Sequence, residues 1–186
     1  MKCPDTTRSP KIIMHCKLLI NLLFILLLTT ASHASLTESE QQAVAKRQLA
    51  EMNAALKGGD VNTFISYINP GLVRRMGGAD SLRKEMKTYA KEVGEAIRSI
   101  SIGEPSKIFH KKNQLQCLIS DTVCSAFDYG PSHIVENVIA ISDDGGGHWT
   151  FANCGNSREK FNAFKTVIPK LAPELEKMLE GRLRGE

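Results

Sequence analysis

Ser142-Asp143-Asp144-Gly145-Gly146-Gly147-His148-Trp149 is the densest run of chemistry-bearing residues in the chain, and it fits the spacing of an Asp-box, S-x-D-x-G-x-x-W. In such a hairpin a carboxylate accepts hydrogen bonds from loop amides, glycines take positive φ and the Trp packs beneath. Calcium would need several more oxygen donors than Asp143 and Asp144 supply, so a built turn is expected and no metal or other cofactor. His110 stands beside Lys111-Lys112, and neither it nor His148 has a recognisable nucleophile or orienting acid nearby, so nothing supports Ser-His-Asp or Cys-His chemistry. Cys117, Cys124 and Cys154 show no CxxC spacing and no His/Cys cluster, which removes thioredoxin-like and zinc readings.

These residues depend on a helical first half and a stranded second half. Thr37 and Glu40 form a capping-box signature ahead of Ala45, Leu49, Met52 and Leu56 at helical spacing, and Gly58-Gly59 ends the segment. Asp60 caps a second helix with Phe64, Ile65 and Ile68 on one face, broken by Pro70-Gly71. A third, from about Asp80 to Val93, carries the stripe Leu82, Met86, Tyr89 and Val93. From Ile97 the pattern alternates through Ile100, Ile102, Ile108 and then Leu115, Cys117, Ile119, Val123 and Phe127, which predicts strands. Turns at Asp128-Tyr129-Gly130-Pro131 and Asp143 to Gly147 make a three-stranded antiparallel meander, and a helical tail begins at about Ser157.

The first 34 residues read as an export leader: Lys2, Arg8, Lys11 and Lys17 precede the run Leu18 to Leu28, and small residues precede a cut after Ala34. Eleven residues rise only about 16 Å as a helix, roughly half of a ~30 Å hydrocarbon core, which favours a cleaved leader over an anchor. The mature product, residues 35 to 186, is expected as a single domain in the periplasm or outside the cell, with no membrane attachment. It is nearly neutral, with 20 Lys plus Arg against 19 Asp plus Glu. Arg74-Arg75 and Lys111-Lys112 then read as solvated turns, and no nucleic-acid partner is expected.

Helices first, a twisted antiparallel sheet second and C-terminal helices last predict an α+β domain, with N-terminal helices packed on a curved sheet. That order, with Gly-Asp-Val-Asn-Thr-Phe-Ile-Ser-Tyr-Ile-Asn-Pro at 59 to 70, Met76-Gly77-Gly78, Ile139 to Gly146 before Trp149-Thr150-Phe151, and Ile168-Pro169, resembles the nuclear transport factor 2-like superfamily, in a secreted branch. The resemblance implies a conical scaffold and a homodimer. It implies no particular activity, since this scaffold hosts isomerases, cyclases, dehydratases and non-catalytic binding modules.

With turns centred near Gly130 and Gly145, Phe127 would pair with His133 and Ser142 with His148, which collects the odd-numbered positions on the buried face. Asp121, His133, Asn137 and Asn153 would then share that face with Ile119, Val123, Phe127, Val135, Ile139, Ile141, Trp149 and Phe151, Asn137 opposite Asn153. Tyr67, Met86 and Tyr89 from the helices complete an expected pocket for a small apolar ligand. A ketosteroid-isomerase type of reaction needs a carboxylate base and enolate-stabilising donors, and Asp121 with Tyr89 is the one pairing on offer. The same register puts Leu118, Ile134, Val138, Ala140 and Ala152 on the outer face beside Cys124 and Cys154, each thiol opposite Glu136. That face could meet a second copy, unless the segment from Pro173 to Leu183 covers it. A Cys117 to Cys124 disulfide would require the chain to turn back at Ser120-Asp121. The favoured expectation is a non-catalytic binder of a small apolar ligand or a protein partner, with an isomerase or dehydratase and an envelope interaction or immunity-type protein as alternatives.

Overall fold

Thr37 closes the capping box that its spacing to Glu40 predicts: its hydroxyl accepts from the Glu40 amide at 3.4 Å, while the Glu40 carboxylate accepts from the Thr37 amide at 2.8 Å. This opens α1 (Glu38–Gly58) in the computed structural model, which describes residues 36–127, 130–168 and 170–184; the expected leader lies outside them. Gly59, at φ 73°, terminates α1 in the left-handed conformation that glycine adopts without strain. Asp60 caps α2 (Val61–Tyr67) by accepting from the Thr63 amide at 3.1 Å. Pro70, expected as a breaker, instead occupies the first turn of a short helix α3 (Pro70–Arg75), where its missing N–H has no consequence.

The next helix, α4 (Ala79–Ala96), buries the row Leu82, Met86 and Ala90 against Val61, Ile65 and Ile68. Ala90 takes the place expected for Tyr89, which is 55% exposed, because residues spaced by four stack on one helix face. Near its end α4 passes so close to α1 that a Cβ on Gly94 would lie 2.7 Å from the Lys57 carbonyl oxygen.

Five strands follow: β1 (Ile97–Ile102), β2 (Phe109–Lys111), β3 (Gln114–Phe127), β4 (Gly130–Ser142) and β5 (Thr150–Asn153). They form one antiparallel sheet in the order β1-β3-β4-β5, with β2 also pairing β3. The chain closes with α5 (Arg158–Lys165) and α6 (Pro173–Arg182). N-terminal helices on a curved, unclosed antiparallel sheet with C-terminal helices make the expected α+β cone of nuclear transport factor 2-like form.

The register differs from expectation, and the difference reassigns side chains to faces. Phe127 pairs with Gly130, so the first turn is tighter than expected and Cys124, not Phe127, stands opposite His133. Val138 pairs with Asn153, one residue from the expected Asn137 partner. Because side chains alternate, each odd-numbered slip exchanges faces. The face under α1 therefore holds Leu115, Cys117, Ile119, Val138, Ala140, Trp149 and Phe151, packed on Ala45 and Leu49. The opposite face holds Leu118, Ile139, Ile141, Ala152 and Cys154, packed on Phe161, Phe164, Leu175 and Leu179. Of the apolar outer surface expected to receive a second copy, Leu118 and Ala152 are covered by the chain's own C-terminal helices, and Val138 and Ala140 lie instead on the face under α1. Since β3 is continuous from Gln114 to Phe127, Cys117 and Cys124 face opposite sides, and the three cysteines among the described residues, Cys117, Cys124 and Cys154, are free.

Candidate functional site

Two glutamines one heptad apart on α1 hold the Asp-box loop against the inner face. Gln41 Nε2 donates to the Gly145 carbonyl at 3.1 Å and Gln48 Nε2 to the Gly147 carbonyl at 3.0 Å. Gln48 Oε1 also accepts from the Trp149 amide at 2.8 Å, and Trp149 Nε1 donates to the Gly146 carbonyl at 2.9 Å. Within the loop Asp144 Oδ1 accepts from the amides of Gly147 and His148, at 3.1 and 3.0 Å. Those bonds outweigh partial burial and keep the Asp144 carboxyl below the ordinary carboxylate range. Trp149 is fully buried, and Gly146, at φ 100°, lies so close to α1 that a Cβ would meet Gln41 Cγ at 2.6 Å. These interactions account for the Asp-box as architecture.

Asp121 is 5% exposed beneath α1, where it accepts one hydrogen bond, from Asn53 Nδ2 at 3.4 Å, while its Oδ1 has no partner. Glu136 stands directly opposite on β4 and is itself bonded by Asn153 Nδ2. Burial, and then the Glu136 charge, push the Asp121 carboxyl up to about 6. This buried acid is not joined to the phenol proposed to assist it: Tyr89 is exposed on α4, and among the described residues the two share no hydrogen bond. Of the other expected pocket residues, Tyr67 stacks on His148 with centroids 5.8 Å apart and donates to Glu51 at 2.5 Å. Met86 belongs to the helical layer. His133 and Asn137 lie on the opposite side of the sheet from Asp121 and Trp149, so the expected polar set is split between two faces. There Asn137 Nδ2 donates to the Gly155 carbonyl at 3.2 Å, and its Oδ1 faces Arg182 at 3.5 Å. The inner face, expected to be an apolar cone for a ligand, is packed by Ala45 and Leu49 against Ile119, Trp149 and Phe151.

An open cavity lies where β5 ends. It has a volume of about 480 Å³, apolar walls from Leu72, Ala163, Phe164 and Val167, and a margin of Arg75, Glu136, Asn153 and Lys160. Asn153 is the expected ligand-binding residue found here. Apolar walls with a few convergent polar groups suit a small molecule with an apolar body and one polar end.

No protein-family model matches the sequence, and no curated protein matches it. Among solved structures the chain is similar to the helical cell shape determining protein of Campylobacter jejuni, at 14% identity and TM-score 0.49, over 63% of this chain and 41% of that one. It is similar to a nuclear transport factor 2-like protein of unknown function from Burkholderia pseudomallei, at 13% identity and TM-score 0.33, over 68% of this chain and 98% of that one. TerC co-crystallised with polyporic acid matches at 12% identity and TM-score 0.32, over 68% of this chain and 99% of that one. With these three scores below 0.5, the fold class stands on the chain's own order and curvature of elements.

A thiol and an imidazole also meet, unforeseen from the sequence. Cys124 Sγ lies 3.0 Å from His133 Nδ1 near the turn end of the β3–β4 hairpin, within the reach of a nucleophile and its base. The expected register had set Cys124 against Glu136, so only the correct turn length reveals the pair. The other two thiols are inert by comparison: burial pushes Cys117 and Cys154 up to about 12.

Proposed function

We propose that the chain is an exported, non-catalytic binding domain of nuclear transport factor 2-like form that takes a small, largely apolar molecule in the cavity at the end of β5. The observation that carries this reading is that cavity itself, about 480 Å³ with apolar walls and a polar margin, beside a cone face already filled by α1. Export to the periplasm or outside the cell is supported by the basic, apolar and small-residue regions of residues 1–34. The arrangement gives little support to an isomerase or dehydratase: Asp121 is sealed beneath α1 and Tyr89 is exposed elsewhere.

Native mass spectrometry of the protein before and after denaturation tests the reading, together with the variant Ala163→Trp, which fills the mouth of the cavity. A co-purifying molecule lost in the variant is the expected result. A wild-type protein that carries no molecule and binds an apolar fluorescent dye no better than Ala163→Trp would overturn it. A second reading, association with a protein partner or a second copy, is supported by the hairpin end, where Ile134 and Val135 are 40% and 53% exposed. Light scattering of wild type and of an Ile134→Ser, Val135→Ser variant tests it; a wild type that is monomeric at every concentration would sink self-association.

A further inference from the structure

We propose that the groove between α3, the β2–β3 turn and the loop before α6 binds a multivalent phosphate oligoanion. Arg74 and Arg75 at the end of α3, Lys111 and Lys112 at the turn, and Lys170 in the loop line a groove of about 990 Å³ whose one carboxylate is Asp143. The mature chain is nearly neutral in sequence, so this concentration of cations is produced by the fold. It is also left uncompensated. Among the described residues none of the groove cations lies within ion-pair distance of a carboxylate, a state they share with Lys84 and Lys87 on α4, so what sets the groove apart is that five such cations line one surface. Asp143 is engaged by Gln114 Nε2 at 2.9 Å.

The cations stand on a prepared frame. Gln116, fully buried, donates to the Lys170 carbonyl at 3.1 Å and accepts from the Ala172 amide at 2.8 Å, which fixes the loop that carries Lys170. Lys111 pairs with Gln114, leaving Lys112 and Asn113 as the turn, and Lys112 adopts φ 54°. A lysine in the left-handed region is strained where glycine would be relaxed, yet the position carries a charge facing the groove.

Shape and chemistry select the ligand class. Cations contributed by three separate elements to one concave surface, which Pro70, Ile141 and Ile168 also line, suit a narrow chain lying in the groove better than a flat membrane surface. Several cations around one groove favour an anion with several phosphates over a single one, and guanidinium groups hold phosphate through paired hydrogen bonds. No aromatic residue lines the groove, so the stacking platform that single-stranded nucleic acids use is missing from its walls.

Calorimetric titration of the protein with sodium tripolyphosphate tests the proposal, with orthophosphate and vesicles containing phosphatidylglycerol as the other probes. Tripolyphosphate is expected to bind about tenfold or more tightly than orthophosphate, and more weakly as salt rises. Arg74→Gln with Lys170→Gln should weaken it about tenfold or more, and Lys84→Gln with Lys87→Gln, exposed on α4, should not. Lys112→Gly should weaken binding while raising the denaturant midpoint, an opposition that a purely structural role for Lys112 would not produce. Equal affinity for tripolyphosphate and orthophosphate, equal loss in the α4 control, or tighter binding to the vesicles than to tripolyphosphate would each overturn the proposal. Arg75 and Val167, shared with the apolar cavity, are left unchanged, so failure here is distinguishable from failure of the ligand reading.

Discussion

Replacing Asp121 by Asn should stabilise the protein at neutral pH and have no such effect in acid. The folded state holds the Asp121 carboxyl at about 6 against an ordinary 3.8, because burial and the facing Glu136 charge both disfavour its ionised form. A folded value above the unfolded one means that the folded state binds the proton more tightly. Wild-type stability attributable to this group is therefore greatest below 3.8, falls as pH rises through the interval to about 6, and stays low above it. At about 1.36 kcal/mol per pH unit the interval corresponds to a penalty of about 3 kcal/mol at pH 7. An Asn side chain keeps the shape and an oxygen for Asn53 Nδ2, and leaves one polar atom without a partner, as wild type already does. That residual cost shifts the whole difference curve without tilting it, so the pH dependence is the clean readout. Urea unfolding of both proteins at intervals from about pH 4 to pH 8 should show Asp121→Asn gaining about 2 to 2.5 kcal/mol on wild type across the range. A difference that is flat with pH, or that shrinks as pH rises, would refute the assignment of a buried, protonatable carboxyl. Glu136→Gln should move the midpoint of the wild-type curve toward 3.8, since it removes the second cause.

Three further outcomes follow from the packing. Alkylation followed by mass spectrometry should find Cys124 modified first, with Cys117 and Cys154 reacting only on unfolding, because burial pushes those two up to about 12; equal rates in the folded protein would contradict their placement. Gln48→Ala should cost about 2 to 4 kcal/mol in urea unfolding, since it strands the buried Trp149 amide and the Gly147 carbonyl together; a loss below about 0.5 kcal/mol would show that the loop does not depend on this clamp. Gly94→Ala should destabilise by about 1 to 3 kcal/mol although the same change in an open helix gains about 1, because the new Cβ meets the Lys57 carbonyl oxygen at 2.7 Å; a gain in stability would mean the helices separate freely.

The elements were legible in this sequence because each carries its own local signal. The Thr37 to Glu40 spacing yields a capping box, and the Ser142 to Trp149 spacing yields a loop that closes on Asp144 and Trp149. Strand register was not legible, because it depends on which residue of a Gly-Pro-containing turn begins the return strand. Gly130 and Pro131 read as turn residues, but both belong to β4, paired with Phe127 and Ala126. That local choice, multiplied by side-chain alternation, carried Ile139 and Ile141 to the other layer and separated His133 and Asn137 from Asp121. It also created the Cys124–His133 contact. The cationic groove was hidden for a different reason. Its charges come from 74–75, 111–112 and 170, and in sequence each pair resembles an ordinary solvated turn. What distinguishes them is that the fold brings all five to one groove lined by a single carboxylate, and that the buried Gln116 holds the loop carrying Lys170 in place. Charge that residues 35–186, nearly neutral in sum, gather on one groove has an electrostatic cost, and a multivalent anion bound there would offset it.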